Sequence, residues 1–232
     1  MVRTLWIAAL LLCLSHGALI YGQSGPRTGA KIPWKLTVVV MDGIDQRSKA
    51  EIPVREAVAF IEKHTRFQFE VQYVTANGIH GYTPYPVKDR RGRRTGTVYA
   101  MMGWNVPQSV INSLPVSTSY LFLYRLHGRK PAQAGSSLGL DFGLLKGGKK
   151  RTYATVPVDQ WWYQNTPKDG FRNWSAQVLS HELINTIQGK LEAKPYNCGQ
   201  LTATSGLPAS RYEAERLSKI SDICYQRIGR ND

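Results

Sequence analysis

The segment of this sequence best suited to chemistry contains a histidine, a glutamate and an asparagine within five residues: His181, Glu182 and Asn185. Side chains four positions apart in a helix lie one turn apart on the same face. In a helix, His181 and Asn185 would therefore share a face, and Glu182 would lie beside them. An imidazole placed in this way can ligate a metal ion, and the neighbouring carboxylate can take a proton from a metal-bound water. Asn185 is the unusual member, because a neutral amide oxygen is a poor zinc ligand compared with an imidazole.

The residues around this motif predict a helix from about Trp174 to Leu191. One side of the helix is apolar and must pack on the core. Its members are Leu179, Leu183, Ile184, Ile187 and Leu191. The motif residues gather on the other side, so we expect them to project into a cleft or into solvent.

Glu213 is the candidate for a third metal ligand, in a predicted helix that follows Pro208 and continues to about Ile228. The core-facing stripe of this helix consists of Leu217, Ile220, Cys224 and Ile228. Glu213 falls on the same stripe, whereas Glu215 points to the opposite side. An inward glutamate needs a partner. Three alternatives stay open for it: a metal ligand, an ion pair with an arginine, or the exposed first turn of the helix.

The segments before the motif predict a sheet that begins with a strand, a helix and a second strand. The β-branched run Lys35–Met41 is typical of a buried strand, and alternation from Phe67 to Thr75 predicts a half-buried one. Between them, apolar residues at helical spacing predict a helix that Pro53 opens. Strands joined in this way are expected to be parallel. Further strands are predicted at Thr97–Met102, Ser119–Leu126 and Arg151–Val158, with Ser136–Leu145 as an edge strand or a loop.

The motif and this order of elements resemble the zincin metallopeptidases over roughly residues 35 to 191. The resemblance implies an α+β fold: a mixed twisted sheet with a βαβ start, a central motif-bearing helix and a C-terminal helix. It also implies an extended peptide substrate paired with an edge strand, either Ser119–Leu126 or the glycine-rich strand after it.

The same resemblance implies the roles of the site residues. His181 and Asn185 would ligate zinc, Glu213 would be a third ligand as in the gluzincin branch, and Glu182 would be the catalytic base of a peptidase. The sequence departs from the family pattern at Asn185, where the second histidine is expected. It also lacks the metzincin continuation, because Gln188 and Leu191 stand where that branch has a glycine and a third histidine.

The chain is strongly basic, with 30 Lys and Arg residues against 16 Asp and Glu residues. Such a surface attracts an acidic polymer or another anionic surface. Two glycine-containing clusters carry much of this charge and are predicted to be loops or hairpin tips: Lys88, Arg90, Arg91, Arg93 and Arg94, then Lys146, Lys149, Lys150 and Arg151. Neither cluster has the interleaved aromatic residues that stack bases, so no specific nucleic-acid motif is predicted.

The N-terminus predicts a cleavable secretion signal over residues 1–22. Its apolar run from Leu5 to Leu14 is about half the roughly 20 residues that a membrane-spanning helix needs. A flexible lead-in is predicted over 23–34 and a single zincin-like domain over 35–232, with no transmembrane segment. We therefore expect a secreted or periplasmic protein.

The cysteines fit an oxidising compartment. Cys13 is lost with the signal, which leaves Cys198 and Cys224 as an even pair for which a disulfide is expected. Two buried free thiols are the alternative. Asn173 begins a sequon for N-glycosylation, which is usable only in a eukaryotic source.

Three hypotheses about function remain at this point. The first is a secreted zinc endopeptidase that uses His181, Glu182, Asn185 and Glu213. The second is a zincin-fold protein that has lost hydrolysis and binds a peptide, another protein or a polyanion. The third is an unrelated α/β secreted protein in which the motif is accidental. The identity of the second and third metal ligands discriminates between the first two.

Overall fold

A computed structural model describes residues 29–41, 46–76, 81–132, 136–138, 144–146, 149–158 and 167–231. The predicted secretion signal lies outside the described residues, as do residues 23–28 of the predicted lead-in. Within the described ranges, no helix combines the length and the apolar character needed to cross a membrane.

A mainly parallel sheet of six strands lies at the centre of the molecule, and a separate two-stranded hairpin accompanies it. The described residues form eight strands: β1 Ile32–Met41, β2 Phe67–Ala76, β3 Thr83–Lys88, β4 Arg94–Ala100, β5 Ser119–Tyr124, β6 Ser136–Leu138, β7 Leu144–Lys146 and β8 Lys149–Pro157. The order in the large sheet is β2-β1-β5-β8-β6, and β7 also pairs with β8. β1, β2, β5 and β8 are parallel, whereas β6 and β7 run antiparallel to β8.

Five α-helices accompany the strands in the part of the chain that the structure describes: α1 Gln46–His64, α2 Gln108–Ser113, α3 Trp174–Glu192, α4 Ala209–Ser218 and α5 Asp222–Asn231. α3 is the predicted motif helix. The prediction that Pro53 opens the first helix is wrong, because α1 begins seven residues earlier and Pro53 lies inside it. Proline removes one amide donor and crowds the preceding turn, which usually ends or kinks a helix. The turn before Pro53 nevertheless stays helical and buries Ala50 in the core.

The prediction of one continuous C-terminal helix is also wrong. The Ser221 side chain accepts a hydrogen bond from the Cys224 backbone amide at 3.3 Å, and the Ser221 carbonyl accepts one from the Tyr225 amide. A serine in this position caps the start of a new helix. The chain therefore ends α4 at Ser218 and begins α5 at Asp222.

The βαβ start is confirmed, since β1 and β2 pair in parallel from Ile32 and Phe67 to Met41 and Ala76. β1 begins three residues earlier than predicted, so residues 32–34 belong to the sheet and not to the lead-in. The strand starts at Ile32 because its backbone amide has a hydrogen-bond partner there: it donates to the Arg66 carbonyl at 2.8 Å.

The core lies on both faces of the sheet. Successive side chains of β1 point to opposite faces of the sheet, so alternate residues belong to the core on one face or on the other. Leu36, Val38 and Val40 pack with the apolar sides of α1, α3, α4 and α5. Val39 and Met41 pack in a second cluster that includes α2. The motif helix is thus fixed on one face of the sheet.

The strand Ser119–Leu126 was one of the two candidates for a substrate-binding edge, and that choice is wrong. β5 lies between β1 and β8 and all its side chains are buried. Its apolar and aromatic residues are stabilised better in the sheet interior than at an edge. The glycine-rich alternative does reach the edge, as the short strand β6.

Cys198 and Cys224 form a disulfide, with their Cα atoms 5.7 Å apart, which confirms the prediction. The bond joins the segment after α3 to α5. The enclosed loop of the chain contains all of α4 and therefore Glu213.

Candidate functional site

The start of the motif helix is fixed by Asn173. Its side-chain oxygen accepts a hydrogen bond from the Ser175 backbone amide at 2.8 Å, which satisfies one of the amides that have no partner within the first turn. Asn173 is buried, so the folded chain does not present this sequon side chain for a glycan. The cap sets where α3 begins and hence which side chains it turns towards the site.

Replacing Asn173 by alanine is expected to lower the free energy of unfolding by about 1 kcal/mol, because the cap is lost. Urea unfolding of the two proteins measures the difference. Asn112→Ala, at an exposed position in α2, is the matched control and should change stability by less than about 0.5 kcal/mol. Equal effects of the two substitutions would contradict a capping role.

The apolar side of α3 packs on the core as predicted, whereas its polar side differs from the prediction at Glu182. All five predicted core residues are buried: Leu179, Leu183, Ile184, Ile187 and Leu191. The His181 side chain is 48% exposed, whereas Glu182 is buried. Glu182 therefore faces the protein at the edge of a pocket and does not extend into solvent.

Glu213 lies beside the motif, on α4. It is only 2% exposed, as the inward stripe predicts. The His181 Nδ1 atom is 2.6 Å from the Glu213 Oε1 atom. The structure thus brings two of the predicted metal ligands into direct contact, across two helices.

Arg216 is the residue of the site that sequence reasoning did not select. It is 5% exposed and lies one turn after Glu213 on α4. Its guanidinium donates to four acceptors: Glu213 Oε2 at 2.9 Å, Asn185 Oδ1 at 2.7 Å, Gln188 Oε1 at 2.6 Å and the Leu201 carbonyl at 3.0 Å. The i,i+3 spacing of Glu213 and Arg216 was the available signal, since such residues are neighbours on a helix surface. Of the alternatives open for Glu213, the structure has the arginine pair.

The residues as arranged do not fit a zinc ion. Asn185 Oδ1 and Glu213 Oε2 already accept hydrogen bonds from Arg216, and Glu213 Oε1 contacts His181. A zinc ion here would stand next to a guanidinium and would compete with it for the same oxygens. Among the described residues, no three His, Cys, Asp or Glu side chains are close enough to share a metal ion.

A small pocket opens beside His181, with a volume of about 240 Å³. Its lining combines apolar and acidic side chains: Trp174, Gln177, Val178, His181, Glu182, Ala209 and Glu213. A pocket of this kind suits a group that has an apolar body and a hydrogen-bond donor or positive end. The chemistry within reach is hydrogen bonding and proton exchange at His181.

The Glu213 carboxylate raises the pKa of His181 above its usual value of 6.5 by accepting a hydrogen bond from it, while burial opposes this shift. Since the folded-state pKa exceeds the unfolded one, this contact stabilises the fold fully below pH 6.5. The contribution is lost as the pH rises through the folded-state pKa. We expect Glu213→Gln to lower the His181 pKa in an NMR titration. Glu215→Gln, on the far side of α4, should leave it unchanged, and an unchanged value in both variants would contradict the assignment.

The described chain is a mixed α/β protein with a mainly parallel sheet and five helices. Among solved structures, it is similar to archaemetzincin from Methanopyrus kandleri, at 16% identity over 89% of this chain and 97% of that one, with a TM-score of 0.36. No protein-family model matches the chain. No curated protein matches it either.

Proposed function

We propose that this chain is a secreted zincin-like protein that binds an extended peptide and does not hydrolyse it. The His-Glu motif on a core-packed helix and the order of the elements support the zincin-like part. The N-terminal sequence pattern and the disulfide between Cys198 and Cys224 support an oxidising compartment.

One observation carries the proposal: the Arg216 guanidinium holds the oxygens that a zinc ion would need. Arg216 is buried and donates to both Asn185 and Glu213. A fixed organic cation can hold these residues in place, but it cannot bind and activate a water as zinc does. Glu182 then has no metal-bound water to deprotonate, and we assign it to ligand binding at the pocket.

The proposed peptide site lies where α3 meets the edge of the sheet. α3 packs next to β6, which is the antiparallel strand at that edge. An extended peptide can pair with such a strand through main-chain hydrogen bonds, and pockets for its side chains give specificity. The pocket beside His181 would receive one of these side chains.

Zinc content is the first test. Elemental analysis of the purified mature chain is expected to find well under one zinc per chain, and added zinc should not change its thermal unfolding. About one zinc per chain that disappears in His181→Ala would overturn the proposal in favour of the endopeptidase. Glu182→Gln would then be the variant that abolishes cleavage.

Peptide binding is the second test. Short random peptides displayed on phage are selected against the wild-type chain, and the enriched peptides are measured by isothermal titration. Ala209→Trp fills the pocket and should abolish binding, whereas Ala59→Trp, on the exposed side of α1, should not. Mass spectrometry should recover the peptides intact. Absence of any selected binder, or equal binding by both variants, would contradict the proposal.

A further inference from the structure

The hairpin of β3 and β4 has one face that the rest of the described chain leaves open. In the hairpin register Tyr85 lies opposite Val98, and Val87 lies opposite Gly96, on the same face. Tyr85 is 37% and Val87 is 39% exposed. A Cβ atom added at Gly96 would meet no atom of the described residues within 4 Å, so these residues leave the centre of this face open.

Trp104 extends the same face at the base of the hairpin and is 63% exposed. Its indole Nε1 donates to the Thr83 hydroxyl at 3.2 Å. Thr83 lies on the face of Tyr85 and Val87, because residues two apart in a strand share a face. The polar atom of the indole thus has a partner within the protein. The ring can enter an apolar medium without leaving an unsatisfied donor.

The tip of the hairpin adds positive charge to this apolar face. Five basic residues stand here against a single acid: Lys88, Arg90, Arg91, Arg93 and Arg94, with Asp89. The Asp89 carboxylate accepts hydrogen bonds from the Arg91 and Arg93 backbone amides at 2.8 and 2.9 Å, and from Arg93 Nε at 3.0 Å. Asp89 therefore holds the turn together, and Lys88, Arg90, Arg91 and Arg94 present an excess of positive charge.

The outer edge of β4 is attached to the body of the protein. The Tyr99 amide donates to the Lys130 carbonyl at 2.9 Å, and the Ala132 amide donates to the Tyr99 carbonyl at 2.8 Å. The Arg129 guanidinium lies over the Tyr99 and Tyr82 rings. The hairpin is thus anchored through β4, and its apolar face and basic tip project together.

We propose that this hairpin docks the protein on an anionic lipid bilayer, with Tyr85, Val87 and Trp104 at the interface and the basic tip on the headgroups. The charge of the tip favours an anionic partner. The aliphatic Val87 and the indole with its satisfied nitrogen fit the boundary between headgroups and acyl chains, where tryptophan and tyrosine are favoured. A single-stranded nucleic acid fits this face less well. Its bases stack on successive aromatic side chains, and here the aliphatic Val87 adjoins Tyr85 on the face.

Vesicle flotation of the full mature chain tests this inference. Vesicles of phosphatidylglycerol mixed with phosphatidylcholine should bind the protein, and pure phosphatidylcholine vesicles should bind it far less. Added salt should weaken binding, because the charges at the tip are exposed. Failure of the wild-type chain to bind the anionic vesicles would overturn the proposal.

Two pairs of variants separate the apolar face from the basic tip. Val87→Ser with Trp104→Ser should lower partitioning at least about tenfold, through lost apolar burial. Arg90→Ser with Arg91→Ser should lower it about fivefold for each arginine removed. Thermal unfolding of every variant checks that it is folded.

The matched controls change the same residue types at exposed positions elsewhere. Ile52→Ser with Ile223→Ser removes two exposed apolar side chains, and Arg55→Ser with Arg230→Ser removes two exposed charges. Partitioning should stay within about twofold of the wild type for the apolar pair, and the charge pair should lose less than the tip variant. Equal losses in controls and hairpin variants would overturn the proposal.

Two further readouts distinguish a bilayer from other polyanions. Brominated lipids should quench tryptophan fluorescence in the wild type and markedly less in Trp104→Phe. Tight binding of a single-stranded oligonucleotide or heparin, combined with vesicle binding that survives Val87→Ser with Trp104→Ser, would assign the tip to a polymer and overturn the proposal.

Discussion

Replacing Arg216 by methionine is expected to lower the free energy of unfolding by about 3–5 kcal/mol, the largest effect of any single substitution considered for this protein. The substitution keeps most of the side-chain length but removes a buried cation. Glu213, which is buried as deeply, would lose the partner of its Oε2 atom. Asn185 and Gln188 would each lose a charged donor as well. Urea unfolding followed by circular dichroism measures the change.

A double variant distinguishes the buried charge from the shape of the side chain. Arg216→Met combined with Glu213→Leu leaves no uncompensated charge, so it should be less destabilised than Arg216→Met alone. Lys219→Met removes an exposed charge at the residue directly after the same helix and should cost less than about 0.5 kcal/mol. A double variant as unstable as the sum of its single substitutions would show that the ion pair does not explain the effect.

Removing the disulfide with Cys198→Ala and Cys224→Ala is expected to cost about 3–4 kcal/mol. The two residues are 26 positions apart, and in the chain-entropy model a loop of this length restricts the unfolded chain by about that amount. Guanidinium unfolding of the oxidised wild type and of the double variant measures the difference.

Reduction of the wild type provides the control for that experiment. Dithiothreitol should bring the wild type close to the double variant and should leave the variant unchanged. A loss below about 1 kcal/mol would contradict the prediction, because native disulfides of this loop length typically contribute more. The enclosed loop carries Glu213 and Arg216, so the His181 resonance in NMR spectra should also broaden or shift when the bond is removed.

The parts of the fold that the sequence predicted are those with a strong local pattern. β1, β2 and β5 are continuous apolar or alternating runs, and α3 carries an uninterrupted apolar side. The pair of cysteines left a single connectivity. In each case a few neighbouring residues determine the element, so no knowledge of distant contacts was needed.

The parts that the sequence did not predict depend on weaker local signals or on distant contacts. The break between α4 and α5 results from the Ser221 side chain, which competes with a continuous helix only through one capping bond. The strand β3 contains Pro84 and Pro86, which argue against a strand except in an edge position. The exposed hairpin supplies such a position.

The sequence predicted that His181, Asn185 and Glu213 lie near one another, but it predicted neither Arg216 nor the hydrogen bonds that Arg216 donates. The helical spacing placed His181 and Asn185 on one face, and the inward stripe selected Glu213. Nothing local places Arg216 next to Asn185, because the two residues are 31 positions apart and meet only when α4 packs on α3. The one usable signal was the i,i+3 spacing of Glu213 and Arg216, because residues three apart are neighbours on a helix surface.

The four acceptors of Arg216 also determine how the pocket can move. They belong to α3, to α4 and to the segment that precedes α4. A small displacement of one helix would break several charged hydrogen bonds together, so α3 and α4 should open as one cooperative unit in hydrogen exchange. The empty pocket would therefore keep its shape. A ligand would meet a preformed cavity and lose little conformational entropy of the protein on binding.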